Sequence, residues 1–426
     1  MVDTYFIYSI YEHRICMNQP KTDFLKLPII LSVTFFLIAA ILGLAMRSAF
    51  VFDMPEWFNY RNIQHGHSHV ALLGWLFGIF YIIIVDTFRL EWSKYSKLFW
   101  ALQATVFGML FTFPFIGYAS LSIIFSTLHI VLIYLFAYKV WKEPNISDQG
   151  QLPKIFLKTS LFFLALSTLG TWALGPIMAL GFKGTAVYYA SIQFYLHFQF
   201  NGWFIFSLLA VVFAIIKSHQ IIINDKKGGL LYWTLLSGTV LTYALAISWS
   251  TPHIGIFMIN SIGVIIQLIA LVIFIKILIK IKTPIKKTVT PYIYDILKLS
   301  LLALVLKILI QSMVAIPALA EVSYTIRNFV IGFIHLLMLG GLSLFAFGMI
   351  SKIQARSLNF VGIIFFISGL VLTEILLFVQ GLMQWQGWGI MKYYYEMVSA
   401  GSLLIVIGLI IILLNLIKKK RDHISL

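Results

Sequence analysis

Twelve apolar runs, each long enough to cross a bilayer, set the terms for this chain. They fall at about 27–49, 67–88, 98–118, 120–139, 155–181, 187–216, 229–251, 254–281, 297–320, 328–351, 358–380 and 398–417. A helix needs about 20 apolar residues to span the hydrocarbon core. An unpaired N–H or C=O in lipid is costly, and a helix satisfies its own, so the expectation is an all-α polytopic membrane protein. Composition agrees: 61% of residues are hydrophobic and 11% charged, against about 25% charged in soluble domains. The single cysteine, Cys16, excludes a disulfide framework and a Cys-based cluster. No cleavable leader pattern precedes the first run; Met1 and Met17 are both candidate starts.

The net charge of +16 is a topology signal rather than a nucleic-acid one. Lys and Arg concentrate in alternate loops, among them Lys94, Lys97, Lys142, Lys154, Lys226, Lys227, Lys286, Lys287 and the 418–421 tail. The opposite loops hold few, such as Arg47, Arg61, Lys183, Arg327 and Lys392. The positive-inside bias places both termini in the cytoplasm, in an inner (cytoplasmic) membrane, with the basic loops near anionic lipid.

One phrase is written three times. His69-Val-Ala-Leu-Leu-Gly74 returns as His197-Phe-Gln-Phe-Asn-Gly202 and as His335-Leu-Leu-Met-Leu-Gly340. From 69 to 197 is 128 residues, and from 197 to 335 is 138. Copies one and three share more: Arg61-Asn62 and Arg327-Asn328 stand eight and seven residues before their His, and Gly66 and Gly332 three before. A period this long marks a repeated multi-helix unit. The phrases fall on spans 2, 6 and 10, so the unit is four helices, with repeats at about 27–150, 151–290 and 291–417, between an N-terminal segment 1–26 and a basic tail 418–426.

Seven of the ten histidines (His65, His67, His69, His129, His197, His253, His335) fall in or beside spans, in the outer half. His13, His219 and His423 fall in cytoplasmic segments. An ionisable side chain at membrane depth is a functional candidate, and imidazole suits iron, copper or zinc. A neutral His bonding a neighbouring helix is the alternative at each position. Glu374 is the one carboxylate well inside a late span, so a hydrolytic zinc site with a carboxylate base is disfavoured. The glycines near each His allow a flat macrocycle to approach, or another helix. At 3.6 residues per turn His65 and His69 share a face, and His67 points about 200° away.

With these residues in place, the chain resembles catalytic subunit I of the haem–copper oxidases and nitric oxide reductases, closest to the C-family, cbb-type branch. The likeness covers twelve spans in three four-helix repeats, with His on spans 2, 6, 7 and 10, His253 standing at the outer end of span 7. His67-Ser-His69…Leu73-Gly74-Trp75 reads like that family's His-x-His…Leu-Gly-Trp segment, which normally stands on helix 10. The resemblance implies that His69 and His335 are axial ligands of a low-spin b-type haem, with His67 and His65 close by. It implies that His197 and His253 match two of three copper ligands, and it leaves His129 as a weaker metal candidate. His67, His129 and His197 lining one pore is a further arrangement that the pseudosymmetry permits. The departures are that Ile254 follows His253 where the family has adjacent His, Phe333 stands where the high-spin haem ligand belongs, and Asn201 and Thr251 stand at the positions of the family's tyrosines. No glutamate lies near His197.

The expected activity is therefore electron transfer through a bis-His haem, from a quinol or cytochrome-type donor and beside other oxidase-like subunits, with O2 or NO reduction at an incomplete second site. A non-catalytic haem, copper or gas-handling protein, such as a sensor or assembly factor, is a second expectation, and a transporter a third. The chain has no Cys-x-x-Cys-His, so it attaches no c-type haem covalently.

Overall fold

A computed structural model describes residues 23–418 except Trp249. Cys16, His13, His423 and the tail beyond 418 lie outside the described residues. All its elements are helices. Among the described residues eleven helices are long and apolar enough to cross a membrane, or twelve if one bent pair counts as a span. The protein is thus an all-helical polytopic membrane protein.

We number the spans α1 Asp23–Ser48, α2 Tyr60–Thr87, α3 Trp92–Ile116, α4 Ser120–Lys142, α5 Gln151–Ala179, α6 Ala186–Ser218, α7 Asp225–Ser248, α8 Ile254–Lys287, α9 Pro291–Met313, α10 Arg327–Ile353, α11 Phe360–Trp385 and α12 Tyr394–Ile417. Helix α9 is the bent one. It stops at Met313 and resumes as a short helix, Pro317–Thr325, turned by 116°. Pro317 cannot donate a backbone hydrogen bond but starts a helix readily, which explains a new helix at that point.

The three His-bearing helices form the centre of the bundle. α2, α6 and α10 are 78, 72 and 61% buried within the protein, and no other span exceeds 50%. Aromatic rings join them: Phe77 meets Trp203 at 5.9 Å, and Phe80 meets Phe204 at 5.3 Å and Phe345 at 6.1 Å. The outer helices keep apolar side chains exposed, such as Phe111, Leu135, Val272 and Ile375, as a surface facing lipid does.

Each central helix changes pitch at the same place. A π-helical stretch begins on the residue after each phrase histidine: Val70–Phe77 after His69, Phe198–Phe204 after His197, and Leu336–Ser343 after His335. π turns are rare, and an extra residue in a helix rotates everything beyond it by about 100°. The turn before each stretch and the turn after it therefore face different neighbours.

The glycine that closes each phrase has a packing role. A Cβ on Gly74 would stand 2.9 Å from Phe35 of α1, one on Gly202 2.5 Å from Phe163 of α5, and one on Gly340 2.8 Å from Ala303 of α9. In every repeat the second helix thus uses this glycine to close on the first. Gly66 and Gly332 do the same toward the third helix, against Pro114 of α3 and Phe378 of α11. These glycines serve helix contact, not the approach of a macrocycle.

Candidate functional site: three histidine centres in pseudo-threefold register

The first centre lies between α2, α3 and α4. Upstream of its π stretch α2 is regular, so His65 and His69 fall on one face. His69 stacks on Phe113 with centroids 4.2 Å apart, and its Nε2 is 3.3 Å from the Tyr118 hydroxyl. The His65 ring meets the same tyrosine at 4.7 Å. Deeper, the Nδ1 of His129 is 2.7 Å from Thr105 Oγ1, whose hydroxyl donates in turn to the Leu102 carbonyl. His129 Nε2 is buried with no partner among the described residues. His129 lies within charge range of His69, and Tyr195 of α6 within charge range of Tyr118.

The second centre lies between α6, α7 and α9. His197 Nε2 donates to the Thr239 carbonyl at 2.8 Å. One turn on, the Asn201 amide sits 3.5 Å from His197 Nδ1. Lys307 of α9 donates to Asn201 Oδ1 at 2.7 Å and to Gln311 Oε1 at 2.6 Å, and lies 5.2 Å from the Phe333 ring centre. His253 is elsewhere occupied: it is exposed, caps the start of α8, and accepts from the Gly255 N–H at 3.1 Å. The structure does not bring His197 and His253 together.

The third centre lies between α1, α2, α10 and α11. His67 turns away from His65 and His69 toward α1, where its Nδ1 donates to the Ala39 carbonyl at 2.8 Å. That bond leaves Nε2 free, with no other hydrogen bond to the ring among the described residues. Gly43 keeps the space beside the ring open; a Cβ there would stand 3.2 Å from His67 Cε1. His335 is half-buried, carries no hydrogen bond among the described residues, and lies within charge range of both His67 and Arg47. Arg47 also lies within charge range of Glu374. Glu374 is 9% exposed, and neither of its oxygens has a hydrogen-bond partner among the described residues.

Above this centre, at the ends of α1, α2, α10 and α11, opens a cavity of about 200 Å³. Arg47, Tyr60, Arg327, Asn328, Gln380 and Tyr394 contribute to its wall. No carboxylate of a described residue is seen in an ion pair with either guanidinium.

One rule relates the centres. Each phrase histidine faces the helix of the next repeat at a residue two positions before that repeat's own histidine. His335 lies within charge range of His67, and His197 reaches Phe333 through Asn201 and Lys307. His69 reaches Tyr195 through Tyr118. His69, expected to pair with His335, packs on Phe113 and Tyr118, and His67 lies within charge range of His335. The pore expected to hold His67, His129 and His197 is divided: those residues belong to three different centres. The sequence marked Arg47 only as a scarce outer-side charge, and Arg327 as such a charge and as part of the Arg-Asn lead-in. Their position on span ends beside the Arg-Asn lead-in was the available signal.

Among the described residues, no three or more His, Cys, Asp or Glu side chains are grouped to hold a metal ion. No known protein-family model matches the chain, and no curated protein is similar to it in sequence.

Proposed function

We propose that this chain is a membrane haem protein with the architecture of oxidase subunit I, and that it holds one b-type haem between α2 and α10 through His67 and His335. The observation that carries this reading is the pair itself. Two imidazoles on two of the central helices lie within charge range of each other, and each has a ring nitrogen without a hydrogen bond among the described residues. His67 also shows the arrangement common to iron-bound imidazoles, in which the other ring N–H donates to a backbone carbonyl, here Ala39. Arg47 and Arg327 at the cavity rim offer two cations to the two carboxylates on a haem edge. A haem bound by two histidines supplies one-electron transfer and has no open position for a gas.

The residues of the second centre do not fit a second metal group. At the second centre His197 Nε2 is committed to Thr239, His253 is a surface cap, and Lys307 stands over Phe333. We therefore read the protein as passing or sensing electrons rather than reducing O2 or NO, and derive no step through copper. Quinol in the bilayer or a cytochrome at the outer face are the donor classes that suit this placement, and the charge bias of the loops orients both termini to the cytoplasm of an inner membrane.

The test is a reduced-minus-oxidised optical spectrum of the protein purified from haem-sufficient cells, with and without CO. A low-spin b-type band that CO leaves unchanged is expected. A colourless protein overturns the reading; a band shifted by CO overturns the bis-histidine ligation.

A further inference from the structure

The cavity between α6, α7, α8 and α9 has no part in the haem site. It is a narrow cavity of about 70 Å³. Most of its wall is apolar, with Leu208, Leu235, Leu271, Phe274 and Leu304. One region is polar, and its two donors are notable for what they lack. Lys307 is 4% exposed, and both acceptors of its ammonium, Asn201 and Gln311, are neutral. Its third proton has no acceptor among the described residues. Thr239 is 1% exposed, and its hydroxyl has no hydrogen-bond partner among the described residues. A buried cation without a counter-charge and a buried hydroxyl without a bond both call for an acceptor, and a charged acceptor satisfies them best.

We propose that this cavity binds a long-chain monocarboxylate drawn from the bilayer, with its carboxylate on Lys307 and Thr239 and its alkyl chain along the leucines. The negative head supplies the counter-charge that the protein omits. The apolar wall fits a saturated chain. The binding is independent of the haem reading, since no residue of the His67–His335 centre lines this cavity.

The experiment uses the full-length protein, purified in detergent and stripped of lipid, with radiolabelled palmitate, hexadecanol and decylubiquinone as probes. Palmitate is expected to bind saturably. Lys307→Met, which keeps the length and removes the charge, should weaken it by about tenfold or more, the scale of one charged hydrogen bond. Hexadecanol should bind the wild type and Lys307→Met alike. Leu271→Trp fills the apolar part and should abolish palmitate binding with Lys307 intact; it carries the test if Lys307→Met does not fold. Equal palmitate binding by the wild type and either variant overturns the proposal, as does Lys307-dependent binding of decylubiquinone without palmitate. The optical spectrum of Lys307→Met should match the wild type, so failure here is distinct from failure of the haem reading.

Discussion

The indole N–H of Trp75 donates to the hydroxyl of Ser343 at 2.9 Å, joining the π-helical stretch of α2 to that of α10. The residues are 268 apart in sequence and both fully buried. Ser343 donates onward to the Met338 carbonyl inside the same stretch, and Trp75 stacks on Phe36 of α1 at 4.6 Å. The bond lies within two turns of His69 and of His335. It sets the height of α2 against α10, and so the height of His67 against His335.

Removing this bond should loosen the centre above it. Ser343→Ala leaves the indole N–H buried and unpaired, and should cost about 1 kcal/mol. Denaturant unfolding in detergent measures the loss. If the bond sets the histidine heights, the variant should also retain less haem.

The choice of axial pair can be decided directly. His67→Ala and His335→Ala should each abolish the low-spin b-type band. His69→Ala should keep it, because that ring stacks on Phe113 and meets Tyr118 in another centre. A spectrum lost in His69→Ala and kept in His67→Ala would restore the pairing read from the repeat register alone.

Arg47 and Arg327 should matter to retention rather than to ligation. Arg47→Ala and Arg327→Ala are expected to lower the haem-to-protein ratio after purification, while the residual band keeps its shape. Each removes one charge-assisted partner, worth about 1.5–3 kcal/mol. Arg61→Ala, the matching lead-in residue of the first repeat, should leave the ratio unchanged, and pyridine-haemochrome assay of all three reads the difference.

The phrase glycines should tolerate no methyl group. Gly202→Ala puts a Cβ 2.5 Å from the Phe163 ring, and overpacking of this kind costs about 1–3 kcal/mol. Gly175→Ala in α5 meets nothing within 4 Å and should be neutral or stabilising by about 0.5–1 kcal/mol through helix propensity. Thermal unfolding of the pair separates packing from a general effect of removing glycine.

Much of this protein was legible from residues in order. Lipid has no hydrogen bonds to offer, so apolar runs of spanning length had to be helices, and their positions show in the sequence to within a few residues. The second, third and ninth helices begin earlier than their runs and the eighth ends later, at Tyr60, Trp92, Pro291 and Lys287, and the ninth stops at Met313, ahead of Pro317. The triple His-x4-Gly phrase also named the helices that would carry histidine. The geometry on α2 could be read as well: ahead of the π stretch the helix is regular, so His65 and His69 share a face and His67 opposes them. Which histidine meets which was a matter for the tertiary structure. The repeat register makes His69 and His335 equivalent, but equivalent residues of a rotating arrangement point to successive centres, not to each other. Each lies toward the next copy instead: His335 within charge range of His67, His197 linked through Asn201 and Lys307 to Phe333, and His69 on Tyr118, which is within charge range of Tyr195. The π stretches, the Arg47 and Arg327 rim and the cavity at Lys307 likewise arise from how three helices close around one axis. Sequence determined the helices and their chemistry; packing decided the partners, because contact between helices depends on rotation about axes that no linear spacing records.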